Sequence, residues 1–132
     1  ITGTGEETRD FTYVEDIVDG LLRLGYFKEA IGEAFNLAAG REIQIKYLAD
    51  TVNKLVGNNA GIKYLPRRKW DSKPRILASN EKAKKVLGFS PDPDFEKGLR
   101  INIDWFKKNW DRIEKAASFG PGASSAVREN NN

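Results

Sequence analysis

Gly3-Thr4-Gly5-Glu6-Glu7-Thr8-Arg9-Asp10-Phe11-Thr12-Tyr13-Val14-Glu15-Asp16 decides the reading of this 132-residue chain. The glycines relax a turn, residues 9–13 make a short extended run, and an amphipathic helix then begins. Thr12 and Glu15 stand in the Thr-x-x-Glu spacing of a capping box, just ahead of the apolar series Val14, Ile17, Val18, Leu21 and Leu22. An arginine on an extended segment beside a helix start suits an anion contact, because its fork matches phosphate oxygens in pairs. A second basic stretch, Pro66-Arg67-Arg68-Lys69-Trp70-Asp71, lies far along the chain. The question the sequence poses is whether Arg9 and Arg68 meet around one ligand.

Working outward, the first helix is expected over residues 13–24, with Gly25 as its stop. Gly20 in its middle costs about 1 kcal/mol relative to alanine, which points to close packing against another element. Residues 34–38 read as a strand turned by Gly40, with Asn36 expected to be buried and bonded to backbone. Ile45, Leu48, Ala49, Val52, Leu55 and Val56 form the apolar stripe of a second helix closed by Gly57 and Asn58. Its start near Gln44 lacks the usual serine or threonine cap. Residues 62–65 read as a short strand, followed by the basic loop 66–74 and an extended piece around Ile76 and Leu77.

Ser79 or Asn80 is expected to cap a short helix that runs to Leu87 and ends at Gly88. Asp92 and Pro93 then announce the longest helix, whose face carries Phe95, Leu99, Asn102, Ile103, Phe106, Trp110 and Ile113. Residues 118–132 turn to Gly, Pro, Ser and Asn and are expected to be a disordered tail, leaving 1–117 as the domain. The fold class expected is α/β of an α+β-like kind, helix-rich with a few short strands.

Composition narrows the chemistry. With 22 basic and 19 acidic residues the net charge is +3, which mildly favours anionic ligands and is too small to argue for nucleic acid. Cysteine and histidine are absent, which removes disulfides, thiolate metal sites and the commonest general base. No apolar run approaches membrane-spanning length, so a cytoplasmic protein with no membrane partner is expected.

The stretch Arg9-Asp10-Phe11-Thr12-Tyr13-Val14-Glu15-Asp16 resembles the substrate-domain signature of the extended short-chain dehydrogenase/reductases, the NAD-dependent sugar-nucleotide epimerases and dehydratases such as UDP-glucose 4-epimerase. Further matches follow in the family's order. Gly32-Glu33-Ala34-Phe35-Asn36-Leu37-Ala38-Ala39-Gly40 resembles its Gly-x-x-Phe-Asn strand and turn. Ala83, Leu87, Gly88, Phe89 and Pro91 resemble its Leu-Gly-Trp-x-Pro element, and Gly98-Leu99 with Trp105-Phe106 resembles its last helix. The resemblance covers roughly residues 1–110.

The family's glycine-rich cofactor turn has no counterpart here, and no tyrosine is followed four residues later by a lysine. Together with Ile1 in place of a starting methionine, this leads to the expectation of a carboxy-terminal portion that lacks its Rossmann domain, binds no cofactor by itself and has no catalytic residue. NAD is the cofactor of the whole family. The resemblance implies that Arg9 contacts a sugar nucleotide's pyrophosphate and that Arg68 and Asp71 hold phosphate and ribose. The residue types suit those roles, since a diphosphate needs forked cationic donors and a ribose diol a carboxylate acceptor.

The loop departs from the epimerase version at Lys69 and Trp70. The bland alternatives are a helix-entry role for Arg9, a solvated loop for 67–69, a turn cap for Asp71 and a core plug for Trp70. A few short strands leave an exposed sheet edge and uncovered helix faces, so a homodimer or a domain-swapped oligomer is expected. The alternative function is a stand-alone oligomerising or anion-binding module descended from the same domain. A nucleic-acid binder built on 67–69 is the weakest reading.

Overall fold

The computed structural model describes residues 1–70, 73–92 and 94–117. It divides into two compact units, 1–99 and 100 onward. The described elements are β1 (Thr8–Arg9), α1 (Val14–Tyr26), β2 (Ile43–Gln44), α2 (Ile45–Val56), α3 (Glu81–Leu87), α4 (Phe95–Lys108) and α5 (Trp110–Ala117). A 3₁₀ turn at Lys28–Ala30 follows α1. The boundary between the units falls inside α4.

β1 and β2 pair antiparallel, Thr8 opposite Gln44 and Arg9 opposite Ile43. On its other side β1 takes a parallel bridge from Thr8 to Arg75. The Thr8 amide donates to Pro74 O at 2.9 Å and the Ile76 amide to Thr8 O at 3.1 Å. Further upstream, Thr2 bridges Leu65 in parallel, with Leu65 N donating to Ile1 O at 2.7 Å and Gly3 N to Leu65 O at 2.9 Å. The N-terminal stretch is thus the strip to which the rest of the unit is pinned.

That strip also explains the start of α2. Gln44 makes no side-chain cap, and a helix start leaves amides without partners. Here the Ile45 and Lys46 amides donate to Glu7 O and Gly5 O at 2.9 and 2.8 Å. Backbone carbonyls of a neighbouring segment replace the missing serine or threonine. α2 closes as expected, with Gly57 left-handed at φ 70°. α3 closes in the same way on Gly88 at φ 63°.

The core of the first unit is small. Ala83, Leu87 and Phe89 are buried, with Leu24, Phe27, Ala30, Phe35, Leu37 and Val86 packed around them. Burying a leucine or phenylalanine side chain contributes about 1.5–3 kcal/mol each, so this cluster joins α1, the 3₁₀ turn and α3 into one body. Gly20 of α1 sits against Leu37, the close approach its sequence position suggested.

Several expectations give way to better local partners. Thr12 does not close a capping box: α1 begins after Tyr13 without a side-chain cap, because Thr12 Oγ1 accepts the Ala39 amide at 2.9 Å. Gly25 lies within α1, which ends only where Phe27 turns extended. Residues 34–38 form no strand, since side chains from elsewhere hold their backbone. Asn80 Nδ2 donates to Ala38 O at 2.9 Å and Lys82 Nζ to Ala34 O at 3.0 Å, while Asp10 Oδ1 accepts the amide of Ala39, just beyond, at 3.1 Å. Asn36 is exposed rather than buried, although it does reach backbone, at Ser79 O. The expected strand at 62–65 reduces to the single bridge at Leu65.

Asn80 stands at the N-cap of α3 without capping it, its amide being engaged with Ala38. Ser79 Oγ accepts the Glu81 amide instead, at 3.4 Å. At the start of α4, Asp94 Oδ1 accepts the Lys97 amide at 2.9 Å, the bond an N-cap side chain makes. Pro93 lies outside the described residues. The expected single long helix is interrupted at Asn109, where Trp105 O accepts both the residue's side-chain Nδ2, at 2.8 Å, and its amide, at 3.1 Å. In the second unit Trp105, Phe106 and Trp110 are exposed. Residues 118–132, expected as a tail, lie outside the described residues.

Candidate functional site

The site the sequence points to gathers along β1. Gly3 and Gly5 take positive φ, 111° and 84°, and wrap the turn around the buried Glu7. The Gly5 amide donates to Glu7 Oε2 at 2.8 Å and the Thr4 amide to Oε1 at 3.3 Å. Glu7's own backbone amide holds its carboxyl below the usual range most strongly. Burial opposes this, while the Thr4 and Gly5 amides and the Arg67 charge reinforce it. A β-carbon on Gly3 would overlap that carboxylate.

This nest therefore holds an anion of the chain's own. It also lies before β1, not between a strand and the helix that follows. The nest is therefore not the glycine turn that cradles a dinucleotide's phosphates. Nor, among the described residues, do three His, Cys, Asp or Glu side chains converge as metal ligands.

Arg9 follows on β1, half-buried. Its Nη1 donates to Thr8 O at 2.8 Å and lies 3.5 Å from Pro74 O. Asp10 points to the other side of the chain and accepts the amides of Ala39 and Gly40, the latter at 3.0 Å. Arg68 sits on the basic segment between Leu65 and Pro74, with its guanidinium over the Trp70 ring at 5.1 Å from the centroid. Trp70 is 76% exposed, so it plugs no core. Asp71, the third residue expected in the site, lies outside the described residues.

The structure thus pins both ends of the basic segment to the strip that carries Arg9. Within the site, Arg9 engages carbonyl oxygens and Arg68 engages an indole. The reading of the residues missed the cluster that holds the segment's return. Arg75 forks onto Glu42, with Nε to Oε1 at 2.7 Å and Nη2 to Oε2 at 2.8 Å. Thr8 Oγ1 donates to Glu42 Oε1 at 2.6 Å. These bonds, from Arg75 first and Thr8 second, hold the Glu42 carboxyl down to about 2 although burial opposes them. Glu42 in turn raises Arg75. The partners are too far apart in sequence for any local pattern to couple them.

A helix-rich chain with a two-stranded sheet, pinned along one N-terminal strip, is the fold of a portion of a short-chain dehydrogenase/reductase epimerase. No family model matches the chain. It is similar to the solved epimerase Mth375 of the thermophilic, pseudomurein-containing methanogen Methanothermobacter thermautotrophicus. That match has 50% identity and a TM-score of 0.85, over 87% of this chain and 34% of that one. It is 35% identical over 119 residues to the UDP-glucuronate 4-epimerase of Thermodesulfobacterium geofontis, covering 86% of this chain and 35% of the relative. The UDP-glucuronic acid 4-epimerase of Bacillus cereus, solved with UDP-glucuronic acid and NAD, matches with a TM-score of 0.74 and 28% identity. Here the coverage is 82% of this chain and 34% of that one. The chain belongs to the extended short-chain dehydrogenase/reductases and spans about a third of the length of the relatives it matches. Among the described residues no helix is long and apolar enough to cross a membrane.

Proposed function

We propose that this chain supplies the part of an NAD-dependent sugar-nucleotide epimerase that binds the nucleotide diphosphate, with Arg9 and Arg68 as diphosphate contacts and Asp71 as a ribose acceptor. The observation that carries the reading is the anchoring of the basic segment at both ends to the N-terminal strip that bears Arg9, Leu65 to Ile1 and Gly3, and Pro74 and Ile76 to Thr8. Two cationic forks on segments joined in this way suit one diphosphate, which offers paired oxygens to each. Binding energy gathered on the nucleotide, away from the reacting carbon, orients the sugar for chemistry.

In this reading the chain contributes affinity and orientation, and the hydride acceptor and the base come from a Rossmann portion of the enzyme. The chain alone is then expected to bind UDP and UDP-sugars, not NAD, and to show no turnover. Calorimetric titration with UDP, UDP-glucuronic acid and NAD tests this, with Arg9→Ala and Arg68→Ala as controls. UDP binding that both substitutions weaken supports the reading, whereas UDP binding indifferent to both overturns it.

A second reading, an oligomerising module, is favoured by the apolar row Val14, Val18, Leu21 and Leu22 on α1, each at least half exposed. A row of that kind suits a second copy of the chain or a partner portion. Sedimentation of the wild-type chain beside Leu21→Glu separates a self-association through α1 from none.

A further inference from the structure

Glu42 lies just ahead of β2, and its carboxylate is where three segments meet. Arg75 grips both oxygens through a fork, at 2.7 and 2.8 Å, and the Thr8 hydroxyl donates to one of them at 2.6 Å. A forked pair fixes orientation as well as distance. Thr8 and Arg75 also face each other across the parallel bridge, so side chains and backbone hold the same junction. The two proposed diphosphate contacts flank it. Arg9 adjoins Thr8, and Arg68 lies upstream on the segment whose last residue before Arg75 is Pro74.

We propose that Glu42 is a positioning residue, which locks the return of the basic segment onto β1 and so sets the spacing between Arg9 and Arg68 over a bound diphosphate. The inference rests on the proposed reading of those two arginines. The Arg75 side chain is 63% exposed, and a pair so open to water contributes little to stability. Its fork is better accounted for by geometry than by folding energy. Arg75 and Thr8 also keep the Glu42 carboxyl down at about 2, so the lock stays charged throughout the neutral range.

The test is calorimetry of UDP beside urea denaturation of the same chains, on wild type and on Glu42→Ala, Arg75→Ala and the double variant. Members of one network do not act additively, so the UDP Kd is expected to rise about tenfold in all three alike, with the urea midpoint close to that of wild type. In an Arg68→Ala background Glu42→Ala should add less than about twofold, because it acts through that arginine. A role in folding alone would lower the urea midpoint in step with UDP affinity and add fully to Arg68→Ala, which overturns the proposal. Should Glu42→Ala fold poorly, Glu42→Gln keeps one acceptor for the Arg75 fork. It should then give a smaller loss of UDP affinity together with faster hydrogen exchange at the Ile76 amide, and wild-type behaviour in both overturns the proposal. UDP binding that needs Arg9 and Arg68 but not Glu42 overturns this inference alone. No UDP binding by the wild-type chain overturns the functional reading and the inference with it.

Discussion

Gly20→Ala sets two opposing effects against each other in α1. Alanine in a helix interior is favoured over glycine by about 1 kcal/mol. A β-carbon at Gly20, however, would sit 2.7 and 2.8 Å from the two methyl carbons of Leu37 and 3.1 Å from its Cγ. Leu37 packs on the buried cluster of Ala83, Leu87 and Phe89, and just beyond it Asp10 and Thr12 tie down the chain at Ala39. It therefore has little room to swing away, and overpacking of that kind costs about 1–3 kcal/mol. The packing term wins, for a net destabilisation of about 1 kcal/mol.

Gly25, on the same helix, has nothing within 4 Å of its virtual β-carbon, so Gly25→Ala should stabilise by about 0.5 kcal/mol. Urea denaturation followed by circular dichroism reads both. In a Leu37→Ala background the clash is gone, and Gly20→Ala should become stabilising. If Gly20→Ala stabilises the unaltered chain as much as Gly25→Ala does, the packing of α1 described here is wrong.

Asp10→Ala removes the acceptor of the Gly40 amide and leaves the Ala39 amide to Thr12 alone. Bonds to a charged acceptor make this a loss of about 2 kcal/mol in urea denaturation, and Asp10→Asn should recover part of it. The folded pKa of Glu42 lies below the unfolded value, so the small contribution of this water-exposed pair is present above pH 4.5 and is lost as pH falls from there toward 2. Arg75→Ala should bring the titration of the Glu42 carboxyl carbon, followed by NMR, back up toward 4.5, and an unchanged titration would contradict the pairing. Asn109→Ala removes the side-chain bond to Trp105 O and leaves that carbonyl to the backbone amide of residue 109, which should let α4 run into α5, read as a stronger helical signal at 222 nm.

The sequence revealed the elements whose causes are local. The 3.6-residue stripes of α1 and α2 and the left-handed glycines after α2 and α3 are short-range facts; α2 and α3 end where the pattern puts them, while α1 runs through Gly25 to Tyr26. What it hid is set by partners far along the chain. The capping box at Thr12 fails because a hydroxyl with two possible amides takes the one from Ala39. Residues 34–38 lose their strand because Asn80 and Lys82 take the carbonyls of Ala38 and Ala34, and Asp10 holds the turn just beyond at Ala39 and Gly40. For the candidate site, the family motifs singled out the segments bearing Arg9 and Arg68. Glu42 and Arg75, 33 residues apart, carry no spacing that joins them, and only the fold of the N-terminal strip brings them together.

The central claim is that β1 and the basic segment form one nucleotide-diphosphate site. Amide chemical shifts of the labelled chain, recorded while UDP is added, test it most directly. Saturable shifts are expected at Thr8, Arg9, residues 67–70 and residues 75–76, and none in an Arg9→Ala, Arg68→Ala double variant. Shifts centred on α2, α3 or α5, or a saturable response that survives in the double variant, would contradict it.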